Sequence, residues 1–106
     1  MMTLLLFGVT DMIRSFGDKR TEKAFHKQFV KQIPPDLAKR IYLKLVALDT
    51  ALSINDLRTP PGNLLELLGG FNAPRYSIRV NDQWHICFTW DADAHEATDV
   101  VFEDYH

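Results

Sequence analysis

The chain contains a single cysteine, Cys87, among 106 residues, and it has no internal repeat or low-complexity segment. One thiol cannot form an internal disulfide or a cysteine-based zinc site, and it suits a reducing compartment. The four histidines have neither i,i+4 spacing nor a spacing that pairs them with the cysteine, as a metal motif would require. We therefore expect no metal and no other cofactor.

Long hydrophobic runs are absent as well. Near the N-terminus an apolar run extends over only six residues, no basic residue precedes it, and Asp11 interrupts the region. This pattern fits neither a secretory signal nor a membrane span, so we expect a cytoplasmic protein with no membrane partner. Residues 1–11 are interpreted as an N-terminal extension, either a real one or an upstream start codon read as coding. Residues 12–106 form the predicted domain.

Charge is present in both signs but unevenly distributed. Residues 1–50 carry nine Lys or Arg against five Asp or Glu, whereas residues 51–106 carry three against nine. A basic surface suits a phosphate backbone, because neutralising phosphates releases counterions. The first half can therefore bind nucleic acid, but the net charge of −2 argues against tight, unspecific binding. The length and the hydrophobic fraction of 46% predict one globular domain.

The first half predicts a short strand and a helix. Ile13–Phe16 has the pattern of a strand, and Asp18 is suited to be the N-cap of a helix over residues 19–30. Lysines recur at every fourth position from the start of this helix, at Lys19, Lys23, Lys27 and, just beyond its predicted end, Lys31. Such a stripe is either a solvated helix face or a surface that contacts RNA.

A second helix begins at Pro34–Asp36, because proline is tolerated in a first helical turn. An apolar stripe of helical period follows, formed by Leu37, Ile41, Leu45, Leu48 and Leu52. The stripe predicts a helix packed on a sheet. Ser53 is a candidate cap for a short helical turn, which residues 59–62 end.

The second half changes to a period of two. Apolar and polar side chains alternate over residues 76–80 and 84–90, and Asn81–Gln83 joins the two runs as a hairpin. After an acidic turn, Val100 and Phe102 alternate with Val101 and Glu103. The predicted element order is β-α-α-β-β-β. This is an α/β (α+β) fold, with two helices on one face of a small sheet in which antiparallel pairing dominates.

The side of the sheet away from the helices is the place where chemistry is expected. It would present Arg79, His85, Cys87 and Thr89, and such a face is either solvated or functional. We interpret Cys87 as buried structure rather than as a nucleophile. Cleaving RNA without metal requires a base for the ribose 2′-OH, an acid for the leaving 5′-oxygen and cations for the phosphate. Groups suited to these roles are Glu66, Arg75, Arg79, His85, Asp104, Tyr105 and His106.

Three motifs carry a resemblance to a known family. The chain reads P-P-G-N-L-L-E-L-L-G at residues 60–69, Y-S-I-R-V-N-D-Q-W-H-I-C-F at residues 76–88 and D-Y-H at residues 104–106. It resembles the HigB branch of the RelE/ParE superfamily, the toxins of bacterial toxin–antitoxin pairs, over roughly residues 12–106. Members typically show P-P-G-N-R-L-E-x-L-x-G, then Y-S-I-R-x-N-x-Q-W-R-I-C-F, and a terminal D-Y-H.

The resemblance implies a RelE-like fold and a ribosome-dependent endoribonuclease that cleaves mRNA at the A site. It also implies a helix-turn-helix antitoxin of the HigA type, through which the complex binds operator DNA. The residues at the family's catalytic positions are Asp104 as base or orienter of the base, Tyr105 as donor or stacking surface, His106 as acid/base, and Glu66. RNA and phosphate contacts are expected from Arg75, Arg79, His85, Lys23 and Lys27.

Two departures from the family pattern concern cations. His85 stands where the family has an arginine, and histidine lacks the planar, permanently charged fork of that side chain. The family's frequent lysine in L-x-L-K-G is also absent. Their loss predicts slower cleavage or weaker ribosome binding, unless Arg75 and Arg79 compensate. Two alternatives stay open. One is a ParE-like gyrase poison without nuclease activity, which the terminal D-Y-H argues against and the missing arginine argues for. The other is a catalytically weakened toxin that mainly binds its antitoxin.

Overall fold

The helices come first along the chain and the strands last. In the computed structural model, which describes residues 12–70 and 72–104, four antiparallel strands form one sheet in the order β1-β2-β3-β4. The helices are α1 (Lys19–Phe25) and α2 (Pro35–Thr50), followed by 3₁₀ helices at Ile54–Arg58 and Pro61–Asn63. The strands are β1 (Glu66–Leu68), β2 (Arg75–Arg79), β3 (Trp84–Asp91) and β4 (Glu96–Asp104). None of the helices in these ranges is long and apolar enough to span a membrane. The predicted N-terminal extension, residues 1–11, lies outside them.

The core lies between the two helices and one face of the sheet. From α2, Ile41, Leu45 and Leu48 are fully buried, and all three belong to the predicted apolar stripe. The sheet contributes the alternate residues Ile78, Ile86, Phe88, Val100 and Phe102 to the same cluster. The stripe was predicted one turn too long, because Leu52 lies beyond the end of α2 and is 68% exposed. The predicted α+β class, with two helices on one face, is confirmed.

Helix α1 begins where the sequence predicts but ends early. Asp18 Oδ1 accepts a hydrogen bond from the backbone amide of Thr21 at 2.8 Å, as an N-cap does. Lys27 adopts a left-handed conformation with φ of 60°, and the helix stops at Phe25 rather than at residue 30. The early end allows Val30 to enter the core, where it is 6% exposed. Burying the Val30 side chain in the core therefore takes precedence over continuing the helix.

Two strand predictions are corrected by the structure. Ile13 and Phe16 form isolated parallel bridges to Ala97 and Val100, rather than a continuous strand. Conversely, residues 66–68 form the edge strand β1, which the sequence pattern did not predict. A three-residue edge strand has too few positions to show a period of two, which is why the pattern missed it.

Strand β4 contains an irregularity that changes which of its residues share a face. Cys87 is opposite Val101 and Thr89 is opposite Thr98, so β4 contributes one residue more than β3 over this step. Asp99 takes a left-handed conformation there, with φ of 51°. An extra residue in one strand of an antiparallel pair is a β-bulge. The bulge therefore determines which side of the sheet each side chain in the last part of β4 faces.

The P-P-G-N motif has a structural role. Asn63 is fully buried, and its Nδ2 donates to the carbonyl oxygens of Leu57 at 3.0 Å and Thr59 at 3.3 Å. Its Oδ1 accepts a hydrogen bond from Lys44 Nζ on α2. Burial, with a smaller contribution from the nearby Arg40, lowers the pKa of Lys44. The motif thus ties the segment that precedes β1 to helix α2.

Candidate functional site

Strand register assigns one set of side chains to the face of the sheet that points away from the helices. Residues directly opposite each other in antiparallel strands point to the same side. Glu66 is opposite Ser77, and Ser77 is opposite Cys87. A second row runs from Arg79 through His85 to Glu103, and Arg75 is opposite Thr89. We define the polar face by these residues: Glu66, Arg75, Ser77, Arg79, His85, Cys87, Thr89 and Glu103.

The centre of the polar face is buried. Ser77 and Cys87 are 0% and 1% exposed. Burial, a hydrogen bond to the Glu103 carboxylate and the charge of that carboxylate raise the pKa of Cys87 to about 12, with Arg75 opposing them. The thiol therefore stays protonated near neutral pH and is a poor nucleophile. This agrees with its predicted structural role.

Both arginines are held by neighbouring groups. Arg75 donates through Nη1 to Thr89 Oγ1 at 3.1 Å and through Nη2 to the Asp99 carbonyl at 3.2 Å. Arg79 Nη2 forms an ion pair with the carboxylate of Asp82, which is 99% exposed. An ion pair that is so exposed to solvent is screened and contributes little to stability. A phosphate group could therefore replace Asp82 at small cost.

His85 lies between charges of opposite sign. It is half-buried and stands opposite Arg79 on one neighbouring strand and Glu103 on the other. An imidazole can carry charge or move a proton near neutral pH, whereas an arginine can only carry charge. The departure from the family pattern thus replaces a permanent cation by a group that can exchange a proton.

Among the residues that the structure describes, two carboxylates lie on the polar face, one near each edge of the sheet. Glu66, a predicted site residue, is exposed on β1. Glu103 is exposed on β4 and was absent from the predicted site. The signal for Glu103 was present in the sequence, because it alternates with the apolar residues Val100 and Phe102 that face the core.

Asp104, a predicted catalytic residue, points away from the polar face. Asp104 is opposite Trp84, whose ring lies 5.5 Å from that of Phe102 in the layer next to the helices. Successive residues of a strand point to opposite sides, so Glu103 takes the position on the polar face. Asp104 Oδ2 instead accepts a hydrogen bond from Gln83 Nε2 at 2.9 Å. The other two predicted terminal residues, Tyr105 and His106, lie outside the described residues.

The predicted RNA-binding lysines are not part of the polar face. Lys23 is exposed on α1. Lys27 follows that helix, and its Nζ lies 4.7 Å from the centre of the Tyr42 ring on α2. Both belong to the helical layer, on the opposite side of the sheet. Their contact with RNA or the ribosome stays a prediction. Within residues 12–70 and 72–104, no group of His, Cys, Asp and Glu is arranged to hold a metal ion.

Comparisons with known proteins agree with the motifs. The family model described as "RelE-like toxin of type II toxin-antitoxin system HigB" matches residues 14–106. "Toxin HigB-1" of Vibrio cholerae is 38% identical over 80 residues, which are 74% of this chain and 84% of that protein. "Endoribonuclease HigB" of Proteus vulgaris is 33% identical over 96 residues, which are 90% of this chain and 100% of that protein. The chain belongs to the HigB family of RelE-like toxins of type II toxin–antitoxin systems.

Proposed function

We propose that this toxin is a metal-independent endoribonuclease that cleaves mRNA in the A site of the translating ribosome. The observation that carries the proposal is the polar face, where two arginines, a histidine and two carboxylates share one side of a small sheet. These are the cations and proton carriers that metal-free RNA cleavage needs. The name of the Proteus vulgaris relative, an endoribonuclease, supports the same activity.

The cations of the polar face bind the scissile phosphate. Arg79 exchanges its exposed partner Asp82 for a phosphate oxygen, and a guanidinium can make two parallel hydrogen bonds to such a group. Arg75 lies four positions earlier on the same strand and stabilises negative charge beside the buried thiol. His85 adds a cation when its imidazole is protonated.

The terminal residues complete the site by their match to the family motif. His106 acts as acid or base, Tyr105 donates a hydrogen bond or stacks on an unstacked mRNA base, and Asp104 acts as base or orients the base. Glu66 supplies a carboxylate at the other edge of the polar face. These four assignments come from the resemblance and belong to the proposal.

The partners follow from the family and from the proposed target. Membership in a toxin–antitoxin family implies an antitoxin. We propose that this antitoxin is a helix-turn-helix protein of the HigA type, that the complex binds operator DNA through it, and that the free toxin acts on ribosome-bound mRNA. The Lys23 and Lys27 surface then contacts ribosomal RNA.

Primer extension on a defined mRNA tests the activity. Purified toxin is added to a reconstituted translation system, with and without ribosomes, and the wild type is compared with a variant that lacks His106. We expect cuts within A-site codons that require ribosomes and that disappear when His106 is removed.

The controls separate inactivity from misfolding. Circular dichroism and urea unfolding of both proteins establish that each is folded. Intact mRNA with folded wild-type toxin would overturn the proposal. In that case DNA supercoiling by gyrase would be measured next, because inhibition there would identify the ParE-like alternative.

A further inference from the structure

The last two residues of β4 that the structure describes are both acids, and they point to opposite sides of the sheet. Glu103 is opposite His85 and lies on the polar face. Asp104 is opposite Trp84 and leaves the sheet on the side of the helices. The family motif assigns a role to the second acid, whereas the strand register brings the first one next to the cations.

Glu103 ends a row that crosses three strands. Arg79, His85 and Glu103 are successive partners on β2, β3 and β4. Directly opposed residues have Cβ atoms about 5 Å apart, so the row spans about 10 Å. A phosphate bound between Arg79 and His85 would then have its adjoining ribose beside Glu103. The row therefore carries cations at one end and a carboxylate at the other.

The carboxylate is held in place by the thiol two positions away on the neighbouring strand. Cys87 donates a hydrogen bond to Glu103. Because the pKa of Cys87 is raised to about 12, the thiol remains a donor near neutral pH and does not become a competing anion. The buried cysteine thus orients an exposed acid without exchanging protons with the substrate.

We infer that Glu103 is the general base of the cleavage reaction, an inference that rests on the proposed function. Its carboxylate takes the proton of the ribose 2′-OH as the bond between O2′ and phosphorus forms. The bond between phosphorus and O5′ breaks, and O5′ takes a proton from an imidazole of the site. The products are a 2′,3′-cyclic phosphate and a 5′-hydroxyl, and the two proton transfers balance.

The other two carboxylates are less well placed for this step. Glu66 lies on β1 in the row of Ser77 and Cys87, which contains neither Arg79 nor His85. Asp104 lies on the other side of the sheet, where it accepts a hydrogen bond from Gln83. Glu103 is both exposed and opposite a proton-exchanging side chain.

The test is the pH dependence of single-turnover mRNA cleavage on programmed ribosomes. Five variants are compared with the wild type: Glu103→Gln, Glu103→Asp, Asp104→Asn, Glu66→Gln and Asp93→Asn. Asp93 is exposed in the turn at the far end of β3 and β4, so its change removes one negative charge without touching the polar face. The charged or titratable groups around Glu103 are His85 and Cys87 on β3, Arg79 and Arg75 on β2, and Arg20, which donates to the neighbouring Phe102 carbonyl.

Removing a general base costs about 10²–10⁴-fold in rate, and we expect a loss of this size for Glu103→Gln. The wild-type rate should depend on pH, because a general base must be ionised to accept the 2′-OH proton, and this dependence should be absent in Glu103→Gln. Glu103→Asp should restore a large part of the rate together with the pH dependence. Asp104→Asn should lose less, and Asp93→Asn should match the wild type.

Two failures are distinguishable. Full activity of Glu103→Gln, together with a large loss in Asp104→Asn or Glu66→Gln, would overturn the assignment of the base while the endoribonuclease stands. Absence of ribosome-dependent cleavage by folded wild-type toxin would overturn the proposed function and the assignment together. A merely structural role of Glu103 would lower the rate equally at every pH, and that result also rejects the assignment.

Discussion

The two faces of the sheet differ in how they use the same strands. The face towards the helices buries aliphatic and aromatic side chains that include Ile78, Ile86, Phe88 and Phe102, all 0% exposed. The polar face buries only its centre and keeps charged groups at its margins. Because side chains alternate along a strand, one face of the sheet stabilises the fold and the other carries the candidate catalytic groups. Changes on the first face should act on folding, and changes on the second should act on catalysis.

The largest effect is expected from Phe102→Ala. Phe102 is fully buried, packs against Trp84, and has the Arg20 guanidinium 4.2 Å from its ring centre. Truncating a buried phenylalanine costs about 3–5 kcal/mol in unfolding free energy. Urea unfolding followed by tryptophan fluorescence measures the loss. A matched Thr89→Ala change on the polar face should cost far less, and equal losses would contradict the separation of the two faces.

The reactivity of the Cys87 thiol tests whether the centre of the polar face is buried. With a pKa of about 12 against an ordinary value of 9.0, the folded chain should react with iodoacetamide at pH 8 about a thousandfold more slowly than the urea-unfolded chain, because only the thiolate reacts. Mass spectrometry of the alkylated protein gives both rates, and Cys87→Ser provides the blank. Equal rates in the two states would show that the thiol is neither buried nor hydrogen-bonded.

The same group makes folding stability depend on alkaline pH. A pKa that is higher in the folded state favours folding below the unfolded value of 9.0, and the contribution is lost as the pH rises towards about 12. The unfolding free energy of the wild type should therefore fall over this range more steeply than that of Cys87→Ala. Parallel curves from urea titrations would reject this contribution.

Arg79→Ala should affect the reaction more than the fold. Hydrogen bonds to charged groups contribute about 1.5–3 kcal/mol, so loss of a phosphate contact should slow cleavage about 10- to 100-fold. The unfolding free energy should change by less than about 1 kcal/mol, because the Asp82 partner is exposed. Single-turnover cleavage and urea unfolding of the same preparation provide the comparison. Arg79→Lys should keep the charge but not the two parallel hydrogen bonds, and so recover only part of the rate.

The smallest effect is expected from the lysines of the helical layer. If Lys23 and Lys27 contact ribosomal RNA, replacing both by alanine should raise the ribosome concentration that gives half-maximal cleavage and leave the maximal rate unchanged. The dependence of ribosome binding on salt should also become shallower, because two fewer counterions are released. A lower maximal rate with unaltered binding would place these residues in the reaction itself.

The sequence predicted the parts of the fold that local chemistry determines. Asp18 could be recognised as a helix cap, and Ile41, Leu45 and Leu48 as a buried stripe, because each acts through residues three or four positions away. The end of α1 and the edge strand β1 were missed. Both depend on partners distant in the chain: the core that takes Val30, and the β2 backbone that pairs with Glu66.

Only part of the candidate site could be predicted, for the same reason. The period of two correctly placed Arg79, His85 and Cys87 on one face. The terminal motif drew attention to Asp104, while the alternation of β4 already distinguished Glu103. Which acid joins the polar face depends on pairing between β3 and β4, and a motif of consecutive residues does not contain that information.

Because of the bulge at Asp99, the number of residues in β4 is a determinant of function. Because β4 has one residue more than β3 at this point, every side chain after it is shifted by one position relative to the side chains before it. Deleting Asp99 while keeping the earlier pairing would rotate the end of the strand by half a turn, which would exchange the sides occupied by Glu103 and Asp104. Among relatives, the length of this turn and strand should therefore predict which of two adjacent acids faces the arginines, even where the amino acids themselves are identical.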